Sequence, residues 1–368
     1  MWYIFVVGER RRVAVAAATI LAVLLTASPV SAQPAGTGLR PAAGEGSPGF
    51  SGDGGPAAQA ELTNPEGAAV TADGTLYIAD TGNHRVRAVA PDQTIRTVAG
   101  TGEARNETGP LPASAKATEI ALGYPSDLAL GADGTLFIAD MTGVRVYALA
   151  PDGSISIRAD ATMGRGSIDK PMRAPTAVAV ARDGTLYVAD QSNNRVLAVT
   201  PAGAVSVAAE QGIAAPSGLA VDAAGDLWIS GGNALHRLRG GQLTPVTTAG
   251  TVAAISAGPA GLFTVDPSER VVKLIESGGG VRTLTVLDPQ TFQGPAVQLG
   301  SGTAPDGSIY LIDVVANRVF AQQVTAGDEA GGDDTSVPVL WLLLLGGVAL
   351  VVLAVAATWA LRRRKPRP

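Results

Sequence analysis

The sequence predicts an all-β fold, a six-bladed β-propeller, on three observations. A nine-residue motif recurs: Ala72–Asp80 reads ADGTLYIAD, Ala132–Asp140 reads ADGTLFIAD and Arg182–Asp190 reads RDGTLYVAD, with weaker copies at Ala223–Ser230, Ala260–Asp266 and Pro305–Asp313. One glycine is kept in all six copies, at Gly74, Gly134, Gly184, Gly225, Gly261 and Gly307, with spacings of 60, 50, 41, 36 and 46 residues. One aromatic follows it each time, at Tyr77, Phe137, Tyr187, Trp228, Phe263 and Tyr310. A constant motif at drifting spacing means fixed strands joined by variable loops.

Each element of the repeat has a physical reading. A short run of small apolar residues comes first: Ala68–Val70, Leu128–Leu130, Ala177–Val180, Leu219–Val221, Ala253–Ile255 and Ala296–Leu299. Small side chains suit strands that converge on an axis. The glycine then makes a tight hairpin, because it takes positive φ freely. The second strand carries the aromatic. Six of the chain's 16 aromatics occupy this position, which marks it as the packing layer between neighbouring units. A third strand follows, Arg85–Val89 in the first copy, and then a fourth, Ile95–Val98. Four strands repeated six times at this period make a propeller. Its last blade needs a strand from the other end of the chain. Leu39–Ala43 is the expected donor, since it precedes a glycine-rich segment much as the run to Gly100 does.

The ends read differently. Arg10, Arg11 and Arg12 precede an apolar run and then Val30-Ser31-Ala32, the order of a secretory signal over residues 1–32. The propeller is expected over 33–325 and an acidic flexible linker over 326–336. Residues 337–361 carry no charge, and Trp341 and Trp359 sit near the two ends. This stretch is long enough for one transmembrane helix. The basic tail 362–368, with Arg362, Arg363 and Arg364, is then expected in the cytoplasm, with the propeller outside a cell membrane.

Composition excludes several functions. The 368 residues include no Cys and two His, His84 and His236. That rules out disulfide staples, thiol nucleophiles and a three-histidine zinc site. Residues 33–336 hold 19 Lys and Arg against 31 Asp and Glu, a net charge of −12. Such a surface repels phosphate backbones, so nucleic acid is not an expected partner.

The segment Asn64–Val70, the motif Ala72–Asp80 and the following Thr81-Gly82-Asn83-His84-Arg85-Val86 together resemble the NHL repeat. Gly49–Ala57 resembles the segment that opens bacterial and teneurin-like NHL propellers. The resemblance covers about residues 40–325, is strongest in repeats one and three, and implies six blades and a role in protein binding.

Several residues stand out as candidates. Asp80, Asp140, Asp190 and Asp313 each precede an arginine by five residues (Arg85, Arg145, Arg195, Arg318), and Asp266 precedes Arg270 by four. A feature copied five times serves the repeat, so these read as ion pairs that lock the turn between strands two and three. Asn83, Asn194 and Asn317 read as turn residues, and His84 as part of the repeat signature. Gly44–Gly49 matches GxGxxG, but no buried strand precedes it and Pro48 occupies a position that needs an N–H. Glu66 and Asp127 come just before or at the start of innermost strands, so they are the candidate ligand-binding residues at the channel mouth. Loops 101–123 and 158–174 are insertions suited to recognition. Propellers resembling gluconolactonases hold a divalent metal through Glu, two Asn and Asp. Glu66-Gly67 matches the first of these, but Ser126 and Ser217 stand where the asparagines would be.

The expected function is therefore a membrane-anchored, extracytoplasmic propeller without catalytic residues, cofactor or metal. It would bind a protein, peptide or cell-wall saccharide. The alternative is a metal-dependent lactonase or esterase.

Overall fold

The computed structural model describes residues 38–324 apart from 106–108, 113–114, 165, 247–249 and 295–296. The expected signal, linker, membrane helix and basic tail lie outside the described residues. Among the described residues no helix is long and apolar enough to cross a membrane.

The chain opens with β1 (Leu39–Ala43). Blade one follows as β2 (Gly67–Val70), β3 (Leu76–Asp80), β4 (Arg85–Val89) and β5 (Ile95–Ala99). Blade two is β6 (Pro125–Leu130), β7 (Leu136–Asp140), β8 (Arg145–Leu149) and β9 (Ile155–Asp160). Blade three is β10 (Pro175–Val180), β11 (Leu186–Asp190), β12 (Arg195–Val199) and β13 (Val205–Ala209). Blade four is β14 (Pro216–Val221), β15 (Leu227–Gly231), β16 (Ala234–Arg239) and β17 (Gln242–Val246). Blade five is β18 (Ala254–Gly258), β19 (Gly261–Asp266), β20 (Val271–Glu276) and β21 (Val281–Val286). Blade six takes β22 (Val297–Leu299), β23 (Ile309–Asp313) and β24 (Arg318–Gln322), and its fourth strand is β1. The register runs Leu39↔Gln322, Arg40↔Ala321, Pro41↔Phe320 and Ala43↔Val319, so the ring closes through the strand the sequence nominates.

The six sheets are alike because each is an antiparallel meander with the same turn chemistry. The motif glycines adopt positive φ, from 81° to 90° in five copies and 140° at Gly261. In the first copy the Asp73 carboxylate accepts from the Thr75 N–H at 3.1 Å and from the Thr71 hydroxyl, which closes the hairpin. The same Asp–Thr bond recurs at Asp133–Thr135 and Asp183–Thr185.

The core lies between blades. Among the described residues six hydrophobic clusters form, each joining neighbouring sheets and each holding one motif aromatic. Tyr310 packs with Ala68 and Ile78 across blades six and one. Tyr77 packs with Leu128 and Ile138, and Phe137 with Val178 and Val188. Tyr187 packs with Leu219 and Ile229, Trp228 with Ile255 and Leu262, and Phe263 with Leu299 and Leu311. A sheet this short cannot bury both faces alone, so each blade depends on its neighbours.

Candidate functional site

Residues of the innermost strands β6, β10, β14, β18 and β22, with Glu66 just before β2, line a cavity of about 440 Å³. In three of them the first pairing is interrupted by a bulge. Pro125 and Asp127 pair with Asp140 and Ala139, which leaves Ser126 unpaired between them. Thr176 and Ser217 are skipped in the same way in β10 and β14. A bulge re-aims the extra residue, and all three of these hydroxyl residues line the cavity. Ser126 Oγ donates to the Pro175 carbonyl of the next blade at 3.3 Å, and Thr176 Oγ1 to the Pro216 carbonyl at 3.0 Å. Thr81 Oγ1 reaches the Pro125 carbonyl at 2.7 Å. These bonds tie blades one to four together around the mouth.

Glu66 and Asp127 both line this cavity, at the end where the inner strands begin. The half-buried Glu66 carboxylate accepts from the Tyr124 hydroxyl of blade two. Burial pushes Glu66 above the ordinary carboxylate range, against the opposing pull of that hydroxyl. Burial and then the Glu66 bond raise the Tyr124 hydroxyl. Asp127 accepts from the Leu128 N–H at 2.8 Å and from the Val178 N–H of blade three at 2.9 Å. Burial outweighs these two donors, and with a smaller contribution from the Glu66 charge it pushes Asp127 up to about 7. Gly67 makes this corner possible. A Cβ there would stand 2.6 Å from Asp127 Cα, so blades one and two approach this closely only with glycine.

No Lys, Arg or His stands among the described residues that line the cavity. Likewise, no three His, Asp or Glu side chains among the described residues gather closely enough to share a cation. Ser126 and Ser217 do line the channel, but Ser126 Oγ is committed to carbonyls.

The repeated Asp–Arg pairs need correction. Only Asp190–Arg195 forms the expected ion pair, at 2.9 Å with both side chains buried. Asp80 pairs with Arg87 at 3.4 Å, while Arg85 bonds the Asn83 and Thr101 carbonyls and stacks 3.8 Å over Phe50. Asp266 pairs with Lys273 at 2.9 Å, while Arg270 takes a left-handed turn position at φ 55° and bonds the Leu287 and Phe292 carbonyls. Asp140 accepts instead from the N–H groups of Gly123, Tyr124 and Gly143. Asp313 accepts from those of Gln293 and Ala316. Arg145 bonds the Gly109 carbonyl, and Arg318 the Glu45 carbonyl. The reason is geometric. The aspartate ends strand two, and both Asp80–Arg87 and Asp266–Lys273 place the cation seven residues on, two residues beyond Arg85 and three beyond Arg270, inside strand three. In these two blades Arg85 and Arg270, at the entry to strand three, hold loop carbonyls instead.

His84 and Asn194 occupy the same left-handed turn position, at φ 54° and 51°, as does Asn317 at 54°. His84 Nδ1 donates to the Gly123 carbonyl, which gives this histidine a structural task. Sequence reasoning missed Tyr124, Arg87 and Lys273. The seven-residue spacing carries a signal for the last two, but Tyr124 has none, because its role depends on a neighbouring blade.

Residues 39–90, which run from β1 through β4, match the family model of the Teneurin NHL domain. The first blade is thus similar to a Teneurin NHL repeat. Mouse (Mus musculus) Teneurin-1 is 52% identical over 44 residues, 12% of this chain, and the chain covers 2% of that relative's length. Among solved structures, a streptogramin B lyase superposes with a TM-score of 0.52 at 16% identity, covering 72% of this chain and 94% of that one. A gluconolactonase from Xanthomonas campestris gives 0.53 at 16% identity, covering 72% and 87%. At such identities the likeness is one of fold.

Proposed function

We propose that this NHL-type propeller is a ligand-binding module, held on the outer face of a cell membrane, that takes part of a protein, peptide or cell-wall saccharide into the mouth of its central channel. The observation that carries the proposal is the channel itself: a cavity of about 440 Å³ with hydroxyl groups and two carboxylates at its mouth, in a wall braced by inter-blade hydrogen bonds. A rigid, concave, mixed-polarity site of this size is what small-ligand recognition requires. The uncharged run 337–361 followed by arginines supports the membrane placement.

The test is to fill the channel. Ser217→Trp in the full chain, purified in non-ionic detergent, should abolish binding of short peptides or soluble cell-wall fragments in calorimetry, with little change in melting temperature. Binding that survives this substitution would move the site off the channel. For the topology, a tag after Pro368 should be protected from protease added to intact cells. Cleavage of that tag would reverse the orientation.

Lactonase chemistry is the second reading, favoured by one observation: Glu66 does face the channel. Titrating Ca²⁺, Mn²⁺ and Zn²⁺ against melting temperature decides it. A large upward shift that disappears in Glu66→Gln would replace the binding reading with the metal-dependent one.

A further inference from the structure

We propose that the channel accepts an organic amine, an ammonium or guanidinium group on an apolar body, with the charge at Glu66 and the body against the aliphatic wall deeper inside. This inference rests on the channel being the ligand site and names the chemistry of what enters it.

The cavity has two ends of different character, carboxylates at one and aliphatic side chains beside the hydroxyl of Ser301 at the other. Glu66, Tyr124 and Asp127 lie where the inner strands of blades one and two begin. Val180 and Val221 are the last residues of β10 and β14, and Ala257 is next to last in β18, so their place is the far end. All three line the cavity and are only partly buried. A ligand that satisfies both ends is amphiphilic.

The sign of its polar end follows from how the carboxylates are matched. Elsewhere in the ring, buried aspartates have full partners. Asp190 has Arg195, Asp226 has Arg237 and Asp266 has Lys273, while Asp140 has three N–H donors. Glu66 has one hydroxyl, on one oxygen, and no described residue donates to the other. A partly desolvated carboxylate without a cation is costly, and a ligand cation relieves that cost. Across the ring, Ser230 Oγ is fully buried with no hydrogen-bond partner. It lies 2.5 Å from where a Cβ on the cavity-lining Gly218 would stand. An uncommitted hydroxyl therefore sits directly behind the opposite wall. The net charge of −12 over residues 33–336 adds a long-range field that favours cations.

The experiment uses the full chain in non-ionic detergent, with n-hexylammonium, tetramethylammonium, 1-hexanol and hexanoate as probes in calorimetry. Ser217→Trp in identical micelles supplies the blank for partition into detergent. Hexylammonium should bind at least about tenfold more tightly than the other three, because it alone carries both parts. Glu66→Gln, whose amide oxygen still accepts from Tyr124, should lower its affinity to that of hexanol and leave hexanol unchanged. Adding Asp127→Asn should change little further. Equal or tighter binding of hexanoate, or hexylammonium affinity indifferent to Glu66→Gln, overturns the proposal. Hexanol binding that Ser217→Trp abolishes, without preference for the amine, rejects the charge argument and keeps the channel as a site. If Ser217→Trp affects no probe, both readings fail.

Discussion

The Asp127 carboxylate in the second blade accepts the Val178 N–H of the third at 2.9 Å. A residue that faces the channel is thus also a clasp between two sheets. Replacing it with alanine leaves a buried N–H unpaired, which should cost about 1–3 kcal/mol. Urea denaturation of Asp127→Ala against wild type measures this, and a loss well below 1 kcal/mol would mean the clasp carries no load.

The same carboxyl makes stability depend on pH. Its folded value of about 7 lies above the ordinary aspartate value of 3.8, so the native state binds more protons between those limits and stability falls as pH rises through that window. Glu66 is shifted the same way. Most carboxylates with lowered values, Asp266 among them, act in the opposite sense, but below about pH 4. Melting temperature should therefore fall from pH 5 to pH 8, and Asp127→Asn should flatten the decline. A wild-type profile that rises over this interval would contradict the assignment.

Arg87 and Arg85 are two residues apart and should behave differently. The buried Arg87 guanidinium bonds Asp53 at 2.7 Å, Asp80 at 3.4 Å and the Ser51 carbonyl at 2.9 Å. Arg87→Met takes the cation from the buried Asp80, which keeps its bonds from the Thr63 N–H and the Asn83 amide, and should cost about 3 kcal/mol. Arg85→Met, which gives up a stack on Phe50 and carbonyl bonds at a half-buried site, should cost about 1 kcal/mol. Equal losses in chemical denaturation would refute the corrected pairing.

Removing residues 39–43 deletes the fourth strand of blade six and leaves β24 as an open edge. Val319 and Ala321, fully buried in the closed ring, belong to that edge strand. The shortened chain should lose its sharp thermal transition and self-associate in gel filtration. A monomer with wild-type melting would show that closure is dispensable.

Gly67→Ala brings a methyl group to 2.6 Å from Asp127 Cα and should force blades one and two apart. The expected cost is about 1–3 kcal/mol, with Tyr124 fluorescence changing as its bond to Glu66 stretches. An alanine variant with unaltered stability would mean the two inner strands have room to spare.

Much of this protein was determined by the sequence alone. Blade number, hairpin glycines, inter-blade aromatics and the closing strand all follow from a repeat, because each copy must solve the same local problem of turning and packing. Glu66 and Asp127 were legible as the acids at the start of inner strands. The tertiary structure decided what these residues touch. Asp80 turns to Arg87 rather than Arg85, Tyr124 reaches Glu66 from the next blade, and three bulges place Ser126, Thr176 and Ser217 on the channel wall. The physical reason is that a repeat fixes positions within a blade. A hydrogen bond between blades depends on the distance and rotation between two sheets, and no spacing along one chain encodes those.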